Sequence, residues 1–223
     1  MTEPDPLAAT GGARRVLLVH GLFMTGAETA LLRRRLRAQG FEPCVFRYAS
    51  RHGSLDSLLA RLAREAADPG VPFHAIGHSL GGVLLLRLFE HHAELPLARC
   101  VLLGAPACGS AAARSLAQRP FGRRVMGQLA TAELTGEQRA RWCAGAELGI
   151  VAGTLSVGLG RLVVDLPVPN DGAVAVAETA VDGASDRVAL RVSHTGMLVS
   201  ATVAREIVVF LRSGRFGHSS HAD

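Results

Sequence analysis

Phe73-His-Ala-Ile-Gly77-His78-Ser79-Leu80-Gly81-Gly82-Val-Leu-Leu85 is the stretch whose reading decides the fold. A short apolar run enters Gly77-His78-Ser79-Leu80-Gly81, a Gly-x-Ser-x-Gly pattern, and a second apolar run over 83–89 leaves it. This reads as a strand turning sharply into a helix. So tight a turn brings backbone segments close enough that side chains at the flanking positions would collide, hence glycine. It raises the Ser79 hydroxyl above the sheet edge and aims a helix amino terminus at it. Free N–H groups and a partial positive charge there suit a developing oxyanion. An ordinary glycine-rich turn with an incidental serine is the plainer alternative, since a five-residue pattern also arises by chance. The preceding strand, the additional Gly82 and the buried-looking helix favour Ser79 as a nucleophile.

Outward from this turn, strand and helix patterns alternate. Strands are predicted over 15–19, 41–48, 71–76, 99–103, 148–152 and 187–192. They are short and mostly apolar, as in a parallel sheet covered on both faces. Thr25-Gly-Ala-Glu28 has the form of a capping box and predicts a helix through about 39, stopped by Gly40. Further helices are predicted over 54–67, ended by Asp68-Pro69-Gly70, over 79–92, and from the last strand to about 212. The fold class that follows is α/β, a mostly parallel sheet of about six strands with helices on both faces. Functional residues are then expected in loops beyond the carboxyl ends of the strands. The interval 107–146 holds helical patterns but no strand and reads as a short insertion over that edge. One domain over 14–212 suffices, with polar tails at 1–13 and 213–223.

The 223 residues, 48% hydrophobic and 19% charged, suit one globular domain with a substantial core. The first twelve residues lack the basic stretch and apolar core of a signal peptide, and no uncharged run reaches the roughly 20 residues of a membrane span. A cytoplasmic location is the expectation. The net charge of +5 raises nucleic-acid binding, yet all 24 basic residues are Arg, with three Ile and one Asn in the chain. That bias is what a GC-rich genome produces. The Arg33, Arg34, Arg35 and Arg37 cluster reads as a solvated helix face without aromatic interleaving, so no nucleic-acid partner is expected. Cys44, Cys100, Cys108 and Cys143 have neither zinc spacing nor disulfide density. His91, His92, His218 and His221 lack ligand partners at suitable spacing, so no metal is expected.

A serine hydroxyl needs a base to accept its proton. His194 lies late in the chain, between the last predicted strand and the last helix, whereas His52, His74, His91 and His92 flank other elements. The acid is sought between Ser79 and His194. Asp165, Asp171, Asp182 and Asp186 are the candidates after the fifth strand. Asp171 stands in Pro169-Asn170-Asp171-Gly172, a turn sequence containing the only asparagine, 23 residues before His194. That interval has room for one helix and one strand. Asp165 is the alternative.

His20-Gly21-Leu22-Phe23 directly follows the first predicted strand. With the downstream Gly-x-Ser-x-Gly, it makes the chain resemble the α/β-hydrolase superfamily, over about 15–211. Asn170-Asp171-Gly172 is similar to the acid region of small bacterial esterases and lipases and of inositol-deacylase-like hydrolases. The resemblance implies an α/β-hydrolase fold and a catalytic triad of Ser79, Asp171 and His194. It also implies an oxyanion hole from the N–H groups of Leu22 and Leu80, and hydrolysis of a small-molecule ester without metal or organic cofactor. Phe23, Met24 and His78 would contact substrate, while His20 would brace its own loop. A thioesterase or acyltransferase would use the same three residues. A dehalogenase would need Asp at position 79 and is excluded, and a non-catalytic binding protein of this fold would usually have lost a triad member. Two departures stand out: Gly104-Ala105-Pro106 has Ala where lipase-like relatives carry Thr or Ser, and the insertion is short. Arg114, Arg119, Arg123, Arg124, Arg139 and Arg141, with Leu116, Phe121, Val125, Met126 and Leu129, could make it a lid. Solvated arginines are the plainer account of these charges, and contact with an anionic membrane surface is the alternative.

Overall fold

The computed structural model describes residues 13–50, 53–68, 70–136, 140–158 and 165–217. Residues 1–12 of the expected amino-terminal tail, His52, Arg139 and the carboxyl-terminal histidines therefore lie outside the described residues. Six strands, β1 (Arg15–Val19), β2 (Glu42–Phe46), β3 (Phe73–His78), β4 (Leu97–Leu103), β5 (Glu147–Gly153) and β6 (Asp186–Leu190), form one sheet. The strand order is β2-β1-β3-β4-β5-β6, and every pairing is parallel. The helices are α1 (Ala30–Arg37), α2 (Leu55–Ala67), α3 (Leu80–His91), α4 (Ala111–Gln118), α5 (Gly122–Met126), α6 (Gln128–Thr135) and α7 (Ala201–Ser213).

Alternation along each strand divides the core in two. Val16, Leu18, Ile76, Val101 and Leu103 join Leu32 and Leu36 of α1 and Ile207 and Phe210 of α7 on one face. Leu17, Val19, Ala75, Cys100 and Leu102 join α2, α3 and the insertion helices on the other. In α2 the buried residues Leu58, Leu59, Leu62 and Ala66 make a single stripe, and the Ser54 hydroxyl caps its start by accepting from Ser57 N. Helix α3 is apolar nearly all round because the sheet, α2 and α6 enclose it.

Boundaries differ where backbone chemistry overrides the hydrophobic pattern. The third strand begins at Phe73, not Val71, since Pro72 has no N–H for the ladder. It runs through Gly77 and His78, which stay in register with Leu102 and Leu103. The Glu28 carboxylate accepts from Thr25 N and Gly26 N, half of the expected box. The chain nevertheless enters α1 through a 3-10 turn over Ala27–Thr29, because Gly26 at φ 90° starts it left-handed. Between Asp171 and β6 there is only a 3-10 turn, Val176–Thr179, in place of a helix.

The insertion between β4 and β5 holds α4–α6. Ser110 caps α4 at Ala113 N, and the Glu178 carboxylate accepts from both Ala111 N and Ala175 N, tying the insertion to the loop after β5. Arg87 of α3 pairs with Glu133 of α6 at 2.9 Å. Met126, Leu129, Ala130 and Leu134 are buried in the α3-side core. Among the described residues no helix is long and apolar enough to cross a membrane.

His74, wholly buried in β3, has its pKa pushed down to about 4, first by burial and then by the Arg99 cation. A folded-state value below the usual 6.5 means that the unfolded chain binds the proton first. Stability contributed by the neutral ring is therefore complete above pH 6.5 and is lost as pH falls towards 4. The expected slope from this group is about 1.4 kcal/mol per pH unit. Urea unfolding across that range should show it, and His74→Leu should remove that part of the slope.

Candidate active site

Ser79 sits between β3 and α3 with φ 54° and ψ −123°, a conformation that non-glycine residues rarely adopt. The glycines around it are there for space. A Cβ on Gly77 would come within 2.5 Å of Gly82 Cα, and one on Gly81 would collide with the Val19 carbonyl at the end of β1. A Cβ on Gly82 would meet Ala105 Cβ at 2.5 Å, so Ala105, the departure from Gly-Thr/Ser-Pro, packs directly against the turn. Ser79 N donates to Leu103 O at 2.9 Å, which ties the turn to β4.

The loop after β1 lies beside this turn. A Cβ on Gly21 would be 3.1 Å from Ser79 Cβ. His20 is buried, its Nδ1 lies 3.0 Å from Gly21 O, and its ring stacks on Tyr48 with centroids 4.4 Å apart. The Tyr48 hydroxyl, its pKa raised by burial, donates to His20 O at 2.8 Å. His20 is kept neutral by burial, the main cause of its lowered pKa. It braces the loop as the resemblance implies. Phe23 is left-handed at φ 61°, and its N–H donates to the Ser50 hydroxyl at 3.2 Å. Among the described residues the N–H groups of Leu22 and Leu80 have no hydrogen-bond partner.

His194 and Asp171 meet across 23 residues. Nδ1 of His194 is 2.7 Å from Asp171 Oδ2, with Asp171 only 1% exposed. The other carboxylate oxygen accepts from Ala173 N at 2.9 Å and Val174 N at 2.7 Å, and His194 N donates to Asp171 O. Asn170 holds the loop from behind. Its Oδ1 accepts from the Ser156 hydroxyl and Gly172 N, and its Nδ2 donates to Pro167 O. Asp165 is exposed, and Asp186 accepts from Phe216 N and Arg187 N at the start of β6, far along the strand from its carboxyl end. Among the acid candidates, Asp171 alone faces His194.

His78 corrects an expectation. The resemblance implies a substrate contact, but His78 is 2% exposed and its Nε2–H donates to His194 O at 3.0 Å. Burial and then the neighbouring His194 push its pKa down to about 3, so the ring stays neutral and positions the His194 backbone. Met24 is half-buried against the α1-side core, in an open groove with Arg47 and Ser50, while Phe23 is exposed. Among the described residues no hydrogen bond joins the Ser79 hydroxyl to His194. No group of three or more His, Cys, Asp or Glu among them could hold a metal. Ser50, Tyr48 and Glu178 carry no mark in the sequence analysis. Their partners lie far off in the chain, and only the uniqueness of Tyr48 offered a signal.

Solved structures share this architecture. A Bacillus licheniformis lipase matches with TM-score 0.71 over 95% of this chain at 16% identity. The pyrethroid hydrolase PytH matches with TM-score 0.62 over 91% of this chain and 99% of its own, at 14% identity. A monoacylglycerol lipase from Paleococcus ferrophilus gives 0.58 over 89% and 94%, at 16% identity. The fold is that of the α/β-hydrolases. This chain spans about half, 51%, of the Bacillus lipase. No family model matches the sequence, and no curated protein is significantly similar to it. Within the α/β-hydrolase frame, Ser79 follows the central β3, and Asp171 and His194 follow β5 and β6.

Gly104, at φ 54° after β4, floors the Asp171–His194 pair: a Cβ there would be 2.9 Å from Asp171 Oδ2 and 3.1 Å from His194 Nδ1. Gly104→Ala should cost about 1–2 kcal/mol for its left-handed backbone alone and should displace the pair. Thermal unfolding checks the loss of stability. A crystal structure of the variant should show the Asp171–His194 hydrogen bond lengthened or broken.

Proposed function

We propose that the protein is a serine hydrolase that cleaves carboxylic esters of apolar acyl groups through an acyl-enzyme. The observation that carries this reading is the buried Asp171–His194 hydrogen bond of 2.7 Å at the same sheet edge as the strained Ser79 turn. With Nδ1 directed at Asp171, His194 keeps Nε2 for the serine proton, and Asp171 stabilises the imidazolium without taking the proton. As Ser79 Oγ bonds to the ester carbonyl carbon, the carbonyl oxygen gains negative charge. The unpartnered N–H groups of Leu22 and Leu80 receive it. The Phe23 N–H, already donated to Ser50, is not free for that task, which supports Leu22 as the loop donor. His194 then protonates the departing alcohol, and water attacks the acyl group by the same path in reverse. Preorganised donors of this kind are worth about 2.7–4 kcal/mol each. The solved structures sharing the fold include lipases and a pyrethroid hydrolase, which agrees with ester cleavage here.

Of the apolar residues of the insertion, Met126 is buried in the core, whereas Phe121 is exposed. Medium acyl chains, dissolved as monomers, are the proposed substrates. Each added methylene contributes about 0.8 kcal/mol while room remains. A p-nitrophenyl ester panel from acetate to palmitate should show kcat/KM rising to about hexanoate or octanoate and then falling, with activity absent in Ser79→Ala. Activity retained in Ser79→Ala would refute the mechanism, and a jump only above the solubility limit would point to an interfacial lipase.

The acid assignment has its own test. Asp171→Asn should lower kcat by about 10⁴, and Asp165→Asn should leave it near wild type. The reverse ranking would move the acid to Asp165.

A further inference from the structure

Beyond the end of β2 the alternation of the strand continues: Phe46, Tyr48 and Ser50 are buried, while Arg47 and Ala49 are exposed. Alternate residues of an extended segment face one side, and here Tyr48 and Ser50 both reach the loop after β1. The Tyr48 hydroxyl donates to His20 O, and the Ser50 hydroxyl accepts from Phe23 N. Between these two contacts lies the Gly21–Met24 turn, in which Met24 N donates to Gly21 O at 3.4 Å.

Each peptide plane of this turn has its own partner. His20 O lies between the Tyr48 hydroxyl and Gly81, where a Cβ would come within 2.5 Å of it. Gly21 O accepts from Met24 N and from the His20 ring, whose Nδ1 carries the proton because a carbonyl only accepts. The C=O and N–H of one trans peptide point in opposite directions, so the Leu22 N–H points away from the His20 ring. The plane between Leu22 and Phe23 has one partner among the described residues, the Ser50 hydroxyl at 3.2 Å.

Phe23 needs that partner. It is the third residue of the turn, at φ 61°, where glycine is usual because a side chain crowds the backbone. In the commonest turn this plane is rotated and the third residue has a negative φ, which would swing the Phe23 N–H off Ser50. The closing hydrogen bond of the turn, long at 3.4 Å, belongs to both forms and does not choose between them. The Ser50 hydroxyl does.

We propose that Ser50 is a positioning residue for ester hydrolysis: by accepting the Phe23 N–H it keeps the turn left-handed at Phe23, and so keeps the adjoining Leu22 N–H in place for the developing oxyanion. This rests on the ester-hydrolase reading and adds to it a side chain that acts only through the main chain. Without the hydroxyl, a partly buried N–H loses its acceptor and nothing offsets the crowding at Phe23, so the turn relaxes. A misplacement of about 1 Å can cost on the order of 10²-fold in rate. The loss falls on the transition state, because the ester carbonyl oxygen gains its charge only as the bond to Ser79 forms.

The test compares Ser50→Ala with Ser50→Thr, which keeps the hydroxyl, on p-nitrophenyl hexanoate and on its thiono analogue, in which C=S replaces C=O. Sulfur is larger and accepts hydrogen bonds poorly, so an intact oxyanion hole favours the oxygen ester. Ser50→Ala should lower kcat on the oxygen ester by about 10–100-fold while KM stays within about twofold of wild type. Its preference for oxygen over sulfur should fall as well. Ser50→Thr should keep both kcat and the preference close to wild type. Fluorophosphonate labelling of Ser79 should be about tenfold slower in Ser50→Ala, because the phosphonyl oxygen takes the place of the carbonyl oxygen. An unchanged kcat in Ser50→Ala, or an equal loss in both variants, would overturn the proposal. So would a loss that leaves the oxygen–sulfur preference as in wild type, which would make Ser50 a purely structural contact. A wild type that labels at Ser79 but hydrolyses no ester would refute the hydrolase reading instead. Labelling rates would then decide the role of Ser50, slower in Ser50→Ala supporting it and equal rates overturning it.

Discussion

The passage of α3 across the carboxyl ends of β1 and β3 is the constraint on which the remaining geometry depends. Gly81 lies against the Val19 and His20 carbonyls, and Gly77 against the Gly82 backbone, with no room at any of these places for a side chain. Because the helix starts there, Ser79 must adopt a φ of 54°, and its helix presents the unpartnered Leu80 N–H at the sheet edge. The same contact fixes the loop after β1, since His20 is at once a neighbour of Gly81 and the stacking partner of Tyr48. Strain in the serine is held by a sheet buried on both faces, whose strands carry few polar side chains to compete.

The Asp171–His194 pair is held by a different device. Asp171 accepts two backbone N–H groups with one oxygen and the His194 ring with the other, so both carboxylate oxygens are engaged. His194 is in turn held at both ends of its main chain, its N–H by Asp171 O and its carbonyl by His78. Since His78 belongs to β3 and precedes Ser79, this hydrogen bond links the two halves of the site through the sheet. A neutral His78, its pKa depressed by burial, keeps a positive charge away from the neighbouring His194.

The sequence made much of this legible, and for physical reasons. Parallel strands buried on both faces leave apolar runs, so all six appeared with ends wrong by only a residue or two. Chain order and turn composition single out Ser79, His194 and Asp171, the residues of the proposed site, and the structure brings Asp171 and His194 together. What escaped was long-range or backbone in nature. Nothing near Ser50 says that its hydroxyl will hold an amide 27 residues away. Nothing near His78 says that its ring will turn inward to a carbonyl 116 residues on and not outward to substrate. The burial of Met126 was not legible either, because the five residues of α5 are too few to reveal a buried face. The interval before β6, which has room for a helix, holds a 3-10 turn and hydrogen-bonds to Asp171, Asn170 and the start of α4 instead.

The central claim is that the glycine-bounded turn activates one hydroxyl, and covalent labelling tests it most directly. A fluorophosphonate, incubated with the wild type and with Ser79→Ala and His194→Ala, should add one equivalent to the wild type by intact mass. Peptide mapping should place that adduct on Ser79, with none on Ser79→Ala and markedly slower labelling of His194→Ala. Labelling that persists in Ser79→Ala, or maps to another serine, would contradict the account.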